Sequence, residues 1–118
     1  MSNTTQVHWV KSTAGKWLSL QFVDLSEVET VGVYIIWHGG QQPRVVRIGQ
    51  GDIADRLAKH GADDDVLAYA AAGKLFVTWA AVPARLLDGV ERYLAEHWKP
   101  LIGDRFPHVA PIAVNSPF

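Results

Sequence analysis

Residues 32–60 read GVYIIWHGGQQPRVVRIGQGDIADRLAKH, and the architecture of the chain is organised around them. Residues 31–37 are almost unbroken apolar side chains with no polar alternation, which predicts a strand buried on both faces. Gly39, Gly40 and Pro43 punctuate a turn, and residues 45–48 resume the apolar run, closing a hairpin. Asp52 then has the chemistry of a helix N-cap, with Asp55 at the third helical position and Gly61 as the C′ stop.

On that helix Ile53 and Leu57 define the buried stripe. By helical arithmetic His60 falls about 20° from Ile53, and Arg56 about 60° on the same side. Asp55 and Lys59 fall on the far side and pair in solvent at i,i+4. Arg56 and His60 therefore flank the core face and look back toward the strands. An arginine so aimed either meets an anion within the fold or keeps its charge for a ligand.

The 118 residues fit one domain, with its core across residues 31–115 preceded by an extension, 1–30. Apolar content of 48% with 19% charged residues is ordinary for a globular protein and excludes general disorder. There are no cysteines, which rules out disulfides and thiolate metal sites. No signal peptide or membrane span is read: the longest mostly apolar run, 66–82, is broken by Gly73 and Lys74. The expectation is a soluble, cytoplasmic protein. A net charge of −1 argues against a dedicated nucleic-acid binder, yet Arg44, Arg47, Arg56 and Lys59 cluster in the central stretch, apart from Asp63, Asp64 and Asp65.

Residues 7–10 and 16–22 read as short strands around a turn at Thr13, Ala14 and Gly15. After His60 an alanine-rich helix is expected over 65–72, and a strand over 75–82. Pro83 then starts a long helix reaching Trp98, before Pro100. Its apolar stripe is Leu86, Leu87, Val90, Leu94 and Trp98, with Asp88, Arg92, Glu96 and Lys99 opposite, spaced for i,i+4 pairing. Glu91 sits on the shoulder of the stripe with no cation three or four residues away, so it calls for a partner outside its own helix. Gly89, in mid-helix, marks a close backbone approach. From Leu101 the chain is proline-punctuated and wraps the surface up to Asn115.

Gly49-Gln50-Gly51-Asp52-Ile53-Ala54 fits G-x-G-x-x-A, but the preceding strand closes a hairpin and Asp52 would meet the pyrophosphate with like charge. A dinucleotide site is set aside. The five histidines show no zinc-binding spacing. Arg47 is either an edge-strand arginine reaching water or a ligand-facing cation, and Tyr34 either simple core or a site hydroxyl.

Gly32-Val33-Tyr34, Arg47-Ile48-Gly49, Arg56 with His60, Glu91 and Asn115, in that order and spacing, resemble the GIY-YIG nuclease superfamily. The first signature is GVY and the second RIG, with arginine where the family has tyrosine; Gln50 stands where repair-type members often carry lysine. The resemblance implies an α/β (α+β) domain: a small central antiparallel sheet flanked by helices, with the site on one sheet face. It implies a magnesium- or manganese-dependent endonuclease, a hydrolase acting on nucleic acid and on DNA before RNA. Glu91 would hold the metal, Tyr34 or His60 would activate water, Arg56 and Arg47 would grip phosphate, and Asn115 would anchor the C-terminal segment. Gly49, Gln50 and Asn115 would join the arginines in binding substrate. The chain carries no appended DNA-recognition domain, so a targeting protein partner is part of the expectation. The alternative is a catalytically inactive GIY-YIG-like domain that binds nucleic acid or a protein.

Overall fold

Strand β2 (Val31–His38) lies inside a four-stranded antiparallel sheet of order β1-β4-β2-β3, with β1 at Leu18–Ser19, β3 at Arg44–Asp52 and β4 at Leu75–Ala81. This is a computed structural model, and it describes residues 4–103 and 106–118. The interior position explains the apolar run: every residue of β2 after Val31 is buried. Side chains alternate between two cores. Val33, Ile35 and Trp37 pack under helix α3 (Leu87–Trp98) through Val90 and Leu94. Tyr34 and Ile36 face helix α1 (Ile53–His60) and Val66 of the short helix α2 (Asp64–Leu67). The architecture is therefore α+β, a small antiparallel sheet flanked by helices. Among the described residues no helix is long and apolar enough to cross a membrane.

The β2–β3 register contains a bulge. Trp37 pairs with Val45 but Ile36 pairs with Arg47, so Val46 is the extra residue. Val46 and Arg47 consequently turn to the same side, the α1 side, although they are consecutive. The bulge lets the strand bury Val45 and Val46 and still present Arg47 beside Tyr34.

Helix α1 forms as its caps dictate. The Asp52 carboxylate accepts from the Asp55 N–H at 3.1 Å, and Asp55 pairs with Lys59 at 3.1 Å. Ile53 and Leu57 are fully buried. Gly61 ends the helix in a right-handed conformation (φ −65°) rather than as a left-handed stop. The reason is continuation: the Asp63 N–H bonds back to the His60 carbonyl at 3.2 Å and Asp63 at once caps α2.

Elsewhere the elements are shorter than expected. The alanine-rich segment is one α turn followed by a 3₁₀ turn, Ala68–Ala71, because Val66 is its one fully buried anchor, with Leu67 and Tyr69 only partly buried against the core. Pro83 is extended (ψ 141°) and precedes a 3₁₀ turn, Ala84–Leu86, so α3 proper begins at Leu87. Residues 7–10 form no strand; Val10 makes a single N–H bond to the Trp79 carbonyl, while the turn at Thr13–Gly15 closes through Ser12 and Lys16. On α3, Arg92 pairs with Glu96 at 2.7 Å, whereas Asp88 is engaged outside the helix.

Lys99 adopts the left-handed conformation (φ 48°) and stops α3 before Pro100. The chain then returns along β3, with the N–H groups of Leu101 and Ile102 bonded to the carbonyls of Val45 and Val46. Gly89 does mark a close approach: the Ile112 N–H donates to its carbonyl at 2.9 Å, and a Cβ there would strike the Ile112 side chain.

Candidate functional site

Beside β3 lies a cavity of about 200 Å³ on which both helices converge. Tyr34, Arg47, Ile48, Gly49 and Gln50 come from the hairpin. Arg56 arrives from α1, Glu91 from α3, and Gly103 with Phe106 from the segment after α3. Tyr34 and Gly49 are cross-strand partners on the α1 side. Glycine is required there, since a Cβ at position 49 would collide with the Tyr34 hydroxyl. Gly51 (φ 127°) plays a similar part for Arg56: a Cβ there would sit 3.2 Å from the arginine Nε, so its absence leaves room for the side chain.

Behind Tyr34 stands His60. The tyrosine hydroxyl and the His60 Nε2 are 2.6 Å apart, and both residues are buried. Burial, reinforced by the Arg47 charge and to a lesser extent by Arg56, pushes the His60 pKa from an ordinary 6.5 down to about 4; Asp63 opposes this. The imidazole is therefore neutral near pH 7. Burial likewise raises the Tyr34 pKa against the pull of Arg47 and Arg56, so its hydroxyl keeps its proton. A protonated phenol facing a neutral imidazole donates to Nε2 in the tautomer that carries the imidazole proton on Nδ1, which is the tautomer a proton relay through this contact requires.

Glu91 is 9% exposed. Desolvation raises its pKa, and the neighbouring Asp88 raises it further, while Gln50, Arg47 and Arg56 oppose. Gln50 links the two carboxylates: its Nε2 donates to Asp88 Oδ1 at 2.7 Å and to Glu91 Oε1 at 3.0 Å. Two carboxylates thus share one donor at the cavity wall.

The arginines are placed differently: the Arg47 guanidinium donates to the Tyr34 oxygen. Among the described residues neither Arg47 nor Arg56 enters a salt bridge. The Arg47 Nε is fully shielded from solvent and meets no hydrogen-bond acceptor among those residues. A buried guanidinium N–H without an acceptor is costly, and the same guanidinium lines the cavity, where an anion would offset its charge.

Of the residues singled out in the sequence, the cavity gathers Tyr34, Arg47, Gly49, Gln50, Arg56 and Glu91, with His60 one layer behind. Asn115 lies elsewhere. Its side-chain amide accepts from the Val7 N–H at 2.6 Å and donates to the Val7 carbonyl at 2.9 Å, while its own carbonyl accepts from the Trp9 indole. Sequence reasoning placed Asp88 on the solvated face of α3 and missed its bond to Gln50. Its place three residues before Glu91 was the available signal. Gly103 and Phe106 carried no signal, because their contribution depends on the return of the chain along β3.

The chain matches no protein-family model, no curated protein and no solved structure.

Proposed function

We propose that this chain is a GIY-YIG-like endonuclease that hydrolyses phosphodiester bonds in nucleic acid, DNA before RNA, with Mg²⁺ or Mn²⁺ held at Glu91. One observation carries the reading: a single cavity joins two arginines that have no carboxylate partner among the described residues, a desolvated glutamate, and a tyrosine backed by a neutral histidine. The donors suit a hard divalent cation, which takes one or two carboxylates and fills its shell with water and phosphate oxygens. Glu91 is the buried member and Asp88 the neighbour that shares its Gln50 donor. When bound, such an ion supplies charge stabilisation at the phosphate and its leaving oxygen.

The chain's own groups do the rest. Arg47 and Arg56, both in the cavity lining, bind the phosphate oxygens. Water attacks phosphorus as the bond to the leaving oxygen breaks. The water proton passes to the Tyr34 oxygen while the Tyr34 proton passes to His60 Nε2, along the 2.6 Å contact. A histidine with a pKa of about 4 is a weak acceptor. Phosphate binding corrects this in part, because it neutralises the two arginine charges that help to depress that pKa. With a net charge of −1, affinity rests on these local cations, and a targeting protein partner belongs to the reading.

A second reading, a catalytically inactive domain of the same kind that binds nucleic acid or a protein, is favoured by Arg47 standing at the second signature tyrosine and by the Gln50 amide engaging both carboxylates. A nicking assay on plasmid and structured DNA or RNA with Mg²⁺ or Mn²⁺ separates the two. Cleavage by the wild type that is lost in Glu91→Gln is expected. Binding without cleavage in both proteins establishes the inactive domain, and neither binding nor cleavage overturns the nucleic-acid reading.

A further inference from the structure

We propose that a second cavity, at the hairpin end of β3, receives an unpaired nucleobase of the strand whose phosphate occupies the Arg47–Arg56 site. The proposal rests on the nucleic-acid reading above and narrows its substrate class to nucleic acid with unpaired nucleotides.

The cavity measures about 420 Å³, within the range of small-ligand sites, and is lined by Trp37, Pro43, Arg44, Val45, Trp98 and Phe118. Its walls are aromatic rings set edge-on to one another. Phe118 lies 4.8 Å from Trp37 at 80° and 5.2 Å from Trp98 at 90°. Trp37 is 7% exposed and so is fixed by the core, while Phe118 is 52% exposed at the mouth. A rigid indole, a half-exposed outer ring and a cation suit a flat π-system carrying polar edges, since bases stack on aromatic rings whatever their identity. Arg44 is the charged side chain of the lining, and a guanidinium binds an anion such as a phosphodiester, stacks on a base face and disfavours a cationic group.

Position selects the nucleobase among flat ligands. Arg44 and Val45 line this cavity and Arg47 and Ile48 line the other, so the two sites share one edge strand. Three residues of strand cover about 10 Å along β3, and because Val45 faces the α3 side and Arg47 the α1 side the bound strand rounds the sheet edge between them. A stacked nucleotide strand advances about 3.4 Å per residue, so a few nucleotides bridge the interval. An extended peptide is the competing occupant of an edge strand, and it would add through backbone hydrogen bonds. That mode is blocked here, because Leu101 and Ile102 already occupy the carbonyls of Val45 and Val46.

The test measures fluorescence anisotropy of a labelled single strand and of an abasic strand of equal length, in EDTA at matched salt. We expect the wild type to bind the base-bearing strand about 10-fold tighter. Trp98→Ala should bring that strand down to the abasic level and leave abasic binding unchanged. Phe118→Ala, at a half-exposed position, should shrink the preference in the same direction should Trp98→Ala fail to fold. Equal binding of both strands by the wild type overturns the base site while the Arg47–Arg56 reading stands, and leaves the cavity to a protein partner. A preference that survives a folded Trp98→Ala or Phe118→Ala overturns it as well. Binding of neither strand overturns this proposal together with the function on which it rests.

Discussion

At His60 and Glu91 the same force, desolvation, acts with opposite sign on stability. His60 is held neutral with its pKa near 4, whereas an unfolded histidine titrates near 6.5. Between those values the unfolded chain binds a proton that the folded chain refuses, so stability falls as pH is lowered from 6.5 to 4, by at most about 3 kcal/mol. Denaturant midpoints should therefore drop across that window in the wild type and drop less in His60→Gln; parallel curves would show that His60 is not the group responsible. Glu91 runs the other way. Its raised pKa means that the folded state disfavours its charge, so the charge lowers stability once pH rises above the usual carboxylate range. In metal-free buffer at pH 7, Glu91→Gln should melt at or above the wild-type temperature. Adding Mn²⁺ should then raise the wild-type Tm and leave the variant unmoved. A variant that melts well below wild type would show that Glu91 is chiefly a structural acceptor for Gln50.

Among the elements, α1 was the most legible and β3 the least. The α1 boundaries follow from local chemistry, an aspartate cap and two buried side chains one turn apart, and the helix forms where that chemistry puts it. Replacing the cap, Asp52→Ala, should lower stability by about 1 kcal/mol in denaturant melts. It should also loosen the helix end that carries Arg56, so phosphate-strand affinity should fall with it; unchanged stability would mean that tertiary packing alone sets the helix start. The strand β2 was equally readable, since an interior strand needs apolar residues on both sides. In β3, alternation counted from Val45 and alternation counted from Ile48 place Arg47 on opposite sides. The bulge at Val46 resolves the conflict, and it is a property of pairing with β2 that no local pattern announces. The Gln50 bridge to Asp88 and Glu91, 38 and 41 residues away, was hidden for the same reason. Of the two N-terminal strands expected, 16–22 is realised only as the two-residue β1, paired with β4, while 7–10 is held by scattered long-range bonds rather than by a ladder.

For the whole molecule the distribution of charge and the closure of the two chain ends are separable, and one pair of variants separates them. Asn115 joins residues 108 positions apart through two hydrogen bonds to the Val7 backbone, much as a strand partner would, beside the parallel bridge between Thr5 and Val114. Losing both bonds at a partly buried site should lower stability by about 1–3 kcal/mol. Because Asn115 does not line the arginine cavity, Asn115→Ala should leave the salt dependence of nucleic-acid binding as it is. Arg56→Ala should show the converse pattern. Arg56 is exposed and outside any salt bridge among the described residues, so its loss should change stability little. If it neutralises one phosphate, the slope of log affinity against log salt should become shallower by about 0.7–0.9. The Asp55–Lys59 pair on the far side of the same helix provides a control, since Lys59→Ala alters the same net charge away from the cavity. A slope change in Lys59→Ala as large as in Arg56→Ala would mean that the protein senses phosphate through its overall charge. A slope change confined to Arg56→Ala would locate the contact at the cavity itself.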